Sequence, residues 1–288
     1  MKCLGGRGLR SFWVVILVPL VGCASSERNR HVSLEVMSEQ YDMWSALALC
    51  TFDSARFYKP DTESTHVSAL ALQFPPLIVQ ESGRMLPAND AAGDNASPVM
   101  YVDTKRLRVA GSFYDQVTYQ WLASRDTEMS VDSAGDDLSI GDSEKVRGIR
   151  ITVGQDGFAA VCEVLQPGSP FRRFFVSKSM EEAARKAYGE PLEGRRFAVE
   201  SAIDAAPDVL VVGVFNDGPV TMGPYVYLDA SLAVTTIRCR CSSSLVDAFS
   251  EEAVYQWLPI EAFPQQKNRT REREDLSILS VLRWPKGF

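Results

Sequence analysis

What most constrains this chain is a long series of short apolar runs separated by turn residues. Runs at 66–74, 77–80, 99–102, 107–110, 117–122, 146–153 and 158–165 are rich in Val, Ile, Leu and aromatic residues, which reads as strand. The same pattern returns at 171–176, 196–203, 209–215, 225–241, 253–258 and 276–282. Helical spacing is rarer. Met37, Tyr41, Trp44 and Leu47 recur at three- and four-residue steps, so 38–49 is expected to be a helix. A second helix is expected over 180–188, with Ser179 and Glu182 as a capping box, Gly189 as the stop and Pro191 preventing resumption. Stretches 82–98 and 126–143 are rich in Pro, Gly, Asn, Asp and Ser and read as surface loops. Strands dominate without βαβ alternation, which points to an α+β fold with mainly antiparallel strands and few helices.

Four short matches recur in one order. PVMYVD at 98–103 resembles PYVYLD at 224–229, and RLRVAGS at 106–112 resembles RCRCSSS at 238–244. VTYQWL at 117–122 resembles AVYQWL at 253–258, and DLSI occurs at 137–140 and 275–278. The offsets run from 126 to 138 residues, too long for a solenoid repeat. They suggest two related tandem α+β halves, at 34–155 and 172–288, joined by a connecting segment at 156–171. Coincidence between recurrent strand patterns is the competing explanation.

The N-terminus carries an address. Lys2, Arg7 and Arg10 precede an apolar run at 12–21, and no acidic residue occurs before Glu27. The run falls short of the roughly 20 apolar residues that cross a bilayer, and the pattern is that of a removable signal peptide over 1–22. Leu20-Val21-Gly22-Cys23 resembles the lipobox of bacterial lipoproteins. The resemblance covers only the first 26 or so residues. It implies a diacylglycerol thioether on Cys23, cleavage before it, acylation of the new amino group by a fatty acid such as palmitate, and a lipidated tether over 23–33. Several acyl chains, at about 0.8 kcal/mol per buried CH₂, hold a protein stably at a membrane. Ala24 follows the cysteine where a retention signal would place Asp, so the resemblance further implies the periplasmic face of the outer membrane.

Cleavage removes three basic residues and shifts the net charge from −7 to −10. An acidic chain is a poor partner for nucleic acid, and none is expected. The 45% hydrophobic content is that of a globular body. Catalytic constellations are not evident. The two histidines are His31 and His66, no G-x-S-x-G elbow occurs, and there is neither H-E-x-x-H nor a phosphate-binding glycine loop. No cofactor or metal is expected. Asp90, Asp94 and Asn95, and Asp132, Asp136 and Asp137, sit around glycines but do not follow the EF-hand pattern. Cys50, Cys162, Cys239 and Cys241 remain after cleavage and lipidation, with three pairings open. By the matching with Leu107 and Val109, Cys239 and Cys241 are expected on an inward apolar face, rather than at a metal or redox site. The arginine pairs Arg106/Arg108, Arg238/Arg240, Arg172/Arg173 and Arg195/Arg196 could clamp an anion but read first as outward strand faces. Trp121 and Trp257 read as core anchors. The functional expectation is a non-catalytic structural or protein-interaction module with an envelope partner. The rivals are a ligand site between the halves, using the arginines, and a hydrolase using carboxylates that spacing does not single out.

Overall fold

The structure, a computed structural model, describes residues 32–61, 67–82, 86, 97–109, 112–123, 145–166, 168–263, 281–286 and 288. Cys23 and its tether through His31 lie outside the described residues, as do His66 and both aspartate-rich loop clusters. Among the described residues no helix is long and apolar enough to cross a membrane.

The elements follow in order: α1 (Leu34–Leu49), β1 (Phe52–Pro60), α2 (Ala69–Gln73), β2 (Leu77–Glu81), β3 (Val99–Val109), β4 (Ser112–Ala123), β5 (Lys145–Val153), β6 (Ala159–Leu165) and β7 (Arg172–Ser177). Then come α3 (Lys178–Tyr188), β8 (Val209–Phe215), β9 (Tyr225–Leu228), β10 (Val234–Arg238), β11 (Val246–Pro259) and a 3-10 turn at Ile260–Ala262. All eleven of these strands join one mixed sheet in the order β10-β9-β2-β1-β11-β3-β4-β5-β6-β7-β8. The sheet curls until its end strands β8 and β10 touch, and α1 packs against both, so the result is nearly a barrel.

This corrects the expectation of an α+β chain in two tandem halves. Strands from the two expected halves interleave: β11 inserts between β1 and β3, and β9 and β10 extend the sheet beyond β2. The matched segments also differ in pairing. β3 pairs directly with β4, whereas their counterparts β9 and β11 are separated by β2 and β1. Nor is the sheet simply antiparallel. β11 runs parallel to both neighbours, and β2–β9 and β7–β8 are parallel too.

Local differences have local causes. In 66–74 the described part contains α2 instead of a strand: Ser68 Oγ accepts from Ala71 N at 3.2 Å, and the Ala-Leu-Ala-Leu that follows favours helix. Segment 196–203 forms no strand, because its N–H groups go to carboxylates: Ala198 and Val199 donate to Glu181, and Arg196 and Phe197 to Glu200. β1 was not among the expected strands. α3 is capped by Ser177, two residues early, and Gly189 ends it at φ 82°.

The inner face holds the main core, with Met100 and Val102 of β3, Val117, Tyr119 and Trp121 of β4, and Ile149 and Ile151 of β5. Met37 and Tyr41 of α1 close it at the seam. The outer face is covered in two places. α3, the 198–206 segment and Val281–Leu282 cover Phe174, Val176, Val209 and Val211, while Ile260 and Phe263 cover Val99, Tyr101 and Val146.

Candidate functional site

A third apolar cluster lies on the outer face, where β9, β2, β1 and β11 run side by side. Phe52, Ala55, Val79 and Tyr227 are buried in it, and Phe57 and Tyr225 are half-buried around them. Phe249 completes the group at 52% exposure. Among the described residues neither a helix nor the 3-10 turn joins this cluster. The five rings form a chain of contacts. Phe52 meets Tyr227 at 6.1 Å, Tyr227 meets Tyr225 at 6.3 Å, Tyr225 meets Phe57 at 6.5 Å and Phe57 meets Phe249 at 5.8 Å. Interplanar angles of 53° to 69° make it a herringbone of tilted rings, edge-to-face at Phe57–Phe249, and avoid the face-to-face sandwich that ring quadrupoles disfavour.

A β-bulge in β11 shapes the exposed end. Ala55 pairs with Phe249 but Arg56 pairs with Glu251, so Ser250 is the extra residue, and its Oγ donates to Ala55 O at 3.3 Å. Phe57, Tyr225, Phe249, Ser250, Glu251 and Glu252 then line an open groove of about 430 Å³. Glu251 pairs with Arg56 at 2.5 Å and Glu252 with Lys59, so charges of both signs at the rim are matched.

A second groove, of about 350 Å³, opens at the seam beyond the C-terminal end of α1 and is lined by Leu49, Phe175, Val214, Ile237 and Cys239 among others. Cys239 also borders a small cavity with Cys162, Met222 and Asp217. Burial pushes the Cys162 thiol up to about 12 and raises the Cys239 thiol. All four described cysteines are free thiols; Cys162 and Cys239 are buried, and Cys50 and Cys241 exposed. The expectation that both members of the 239/241 pair face inward is therefore met by Cys239 alone.

The three buried carboxylates among the described residues are committed to holding the fold. Glu163 bridges Arg150 and Arg172 at 3.1 and 2.7 Å. Glu181 accepts from Ala198 N and Val199 N, and pairs with Arg185. Glu200 accepts from Tyr41 Oη, Val211 N, Phe197 N and Arg196 N. Burial raises its carboxyl above the usual range, and its donors pull the other way. The arginine pairs do not converge on one site. Arg106 pairs with Asp115 on the surface, and Arg108 lies over Phe113. Arg195 is buried beside Glu200, while Arg196 pairs with Asp42. Arg240 donates to Pro75 O. Arg173 is buried with its guanidinium 3.7 Å over Trp44, and desolvation lowers it to about 10. Trp121 and Trp257 do stand in the core. Among the described residues no group of three or more His, Cys, Asp or Glu side chains could hold a metal ion.

Fold and surface together define a curled mixed-sheet protein with an aromatic cluster on its outer face that opens to solvent at Phe249. No protein family, curated protein or solved structure matches the chain. The residues of the aromatic groove were not singled out from the sequence. Phe57 lies on the unanticipated β1, and Phe249 precedes a bulge that periodicity does not reveal.

Proposed function

We propose that this protein is a lipid-anchored envelope protein, held at a membrane through Cys23, that binds a protein partner in the Phe57–Tyr225–Phe249 groove. The observation that carries the binding role is the open end of the five-ring cluster, where Phe57 and Tyr225 are half-buried and Phe249 is 52% exposed. Exposed apolar patches bordered by polar groups mark interaction sites, and Phe and Tyr are enriched at interface cores. The ring geometry favours protein over sugar. A sugar stacks on an open ring face, whereas a herringbone offers clefts between edges that suit apolar side chains. Rim charges already paired with each other favour a neutral, apolar segment of the partner. The anchor rests on the lipobox resemblance of Leu20-Val21-Gly22-Cys23, and the role of the groove is non-catalytic.

One experiment in cells tests both parts. The chain carries a photoreactive phenylalanine analogue at position 249 and is labelled with palmitate. We expect label in the membrane fraction that Cys23→Ser abolishes. Illumination should give one defined protein adduct, lost when Phe57 and Tyr225 are changed to serine. Undiminished labelling of Cys23→Ser overturns the anchor. An adduct of twice the chain mass, crosslinking only to glycan, or an adduct indifferent to Phe57 and Tyr225 overturns the groove assignment.

A further inference from the structure

The chain leaves β10 through Cys239 and turns at once: Ser242 N–H donates to Cys239 O at 3.0 Å. Inside this turn Cys241 N–H donates to Cys239 Sγ at 3.3 Å, so the Cys239 sulfur lies folded back against the backbone of Cys241. A disulfide needs Cα atoms within about 4.4–6.8 Å and side chains that converge; the turn, which brings the Cys239 sulfur back onto Cys241, is the kind of approach such a bond requires. The two thiols differ sharply in access. Cys239 is 6% exposed, whereas Cys241 lies open to solvent. The seam groove leads to Cys239, between strands β8 and β10 at the two ends of the sheet.

We propose that Cys239 and Cys241 form a dithiol–disulfide pair that exchanges with disulfides of exported proteins, Cys241 attacking and Cys239 resolving. In the first step the Cys241 thiolate attacks one sulfur of the partner's disulfide. That S–S bond breaks, a mixed disulfide forms, and the partner's other sulfur leaves as a thiolate and takes up a proton. In the second step Cys239 gives up its proton and its thiolate attacks Cys241 Sγ. The mixed disulfide breaks and the partner's remaining sulfur leaves and is protonated. Two electrons and two protons pass from the dithiol to the partner, which is reduced to two thiols as Cys239–Cys241 is oxidised. The split between an accessible and a sheltered sulfur serves this order. Attack requires access, and a resolving sulfur beneath the first lets the mixed disulfide collapse inward. Burial, which raises the Cys239 thiol, keeps it protonated until its neighbour is engaged. Cys162 borders the same cavity but is fully buried, which withholds it from exchange.

The test uses the full chain in detergent, reduced, exposed to oxidised glutathione, quenched by alkylation and digested so that 239–241 stay in one peptide. Wild type should lose two alkylatable thiols together and yield that peptide lighter by two hydrogens, with no lasting glutathione adduct. Cys239→Ser should trap glutathione on Cys241, and Cys241→Ser should react at Cys239 at least about tenfold more slowly. The proposal is overturned if wild type keeps a stable adduct on Cys241 beside a free Cys239, if both thiols survive, or if Cys50 supplies the second sulfur.

Discussion

Replacing Glu200 with alanine should cost about 4 kcal/mol. The side chain is fully buried and its two oxygens take four hydrogen bonds: from Tyr41 Oη at 2.5 Å, Val211 N at 2.9 Å, Phe197 N at 3.1 Å and Arg196 N at 3.2 Å. Arg195 Nη1 stands 3.7 Å away with no exposed surface of its own. Truncation therefore leaves three backbone donors without an acceptor and a buried guanidinium without its counter-charge. An orphaned buried donor costs about 1–3 kcal/mol, and breaking a buried ion pair by removing one partner about 3–5 kcal/mol. These costs overlap. Arg195 keeps its bonds to the Ser201, Ala206 and Val209 carbonyls, and the 196–203 segment, outside any strand, can relax. The middle of the ion-pair range, about 4 kcal/mol, is thus expected. For a chain of this size each kcal/mol moves Tm by about 2–4 °C, so the variant should melt about 8–16 °C below wild type. Urea titration followed by circular dichroism measures the loss. Glu200→Gln keeps one oxygen but points an amide at other donors, so it should fall between wild type and alanine. A loss under about 1 kcal/mol for alanine, or glutamine worse than alanine, would refute the claim that acceptor supply at Glu200 holds this segment.

Two further outcomes follow from buried groups. The Cys162 thiol ionises near 9 when unfolded but only at about 12 when folded, so the folded state keeps a proton the unfolded state has lost. Stability should therefore fall as pH rises between those values, by about 1.4 kcal/mol per unit from this group, and Cys162→Ala should flatten that slope in alkaline denaturation curves; an unchanged slope contradicts the burial argument. Gly148→Ala should destabilise by about 1–3 kcal/mol, since a Cβ there would sit 2.3 Å from the Tyr119 carbonyl oxygen, and a thermal melt matching wild type would show that β4 and β5 can part freely.

Much of the strand content was legible because short apolar runs bounded by turn residues are a local signal. β4, β6 and β8 each carry runs of consecutive buried residues, buried on both faces as continuous apolar runs imply, and Gly189 stops α3 by its own left-handed backbone. What failed depended either on side chains that take up backbone N–H groups or on partners distant in the chain. Segment 196–203 has strand composition, yet Glu181 and Glu200 take the N–H groups a ladder would have used. β1 carries Asp53, Arg56 and Lys59 among its apolar residues, and the pairing of Arg56 with Glu251 and Lys59 with Glu252 that reconciles those charges with a central strand spans most of the chain. The aromatic groove was illegible for the same reason. Its rings come from β1, β9 and β11, and the bulge at Ser250 sets which side chains of β11 lie there.

The recurring Tyr-Gln-Trp-Leu shows how a shared environment can imitate a duplication. β4 and β11 are the two neighbours of β3, and each sends its Tyr and Trp into the barrel. Tyr119 and Trp257 meet at 5.9 Å, and Tyr255 and Trp257 at 5.5 Å. Both tyrosine hydroxyls donate to the same short stretch of chain, Tyr119 to Ala71 O at 3.0 Å and Tyr255 to Pro76 O at 2.8 Å. Burial raises both phenols well above their ordinary value, so each stays protonated as a donor. The two copies thus fasten α2 and the residues after it against the sheet interior from either side of β3. A buried tyrosine needs an acceptor for its hydroxyl, and a carbonyl-rich helix end offers several. Two strands that face the same helix end meet the same demand, and the same residues satisfy it. The repeat therefore reports position relative to α2, and it arises whether or not the halves share descent.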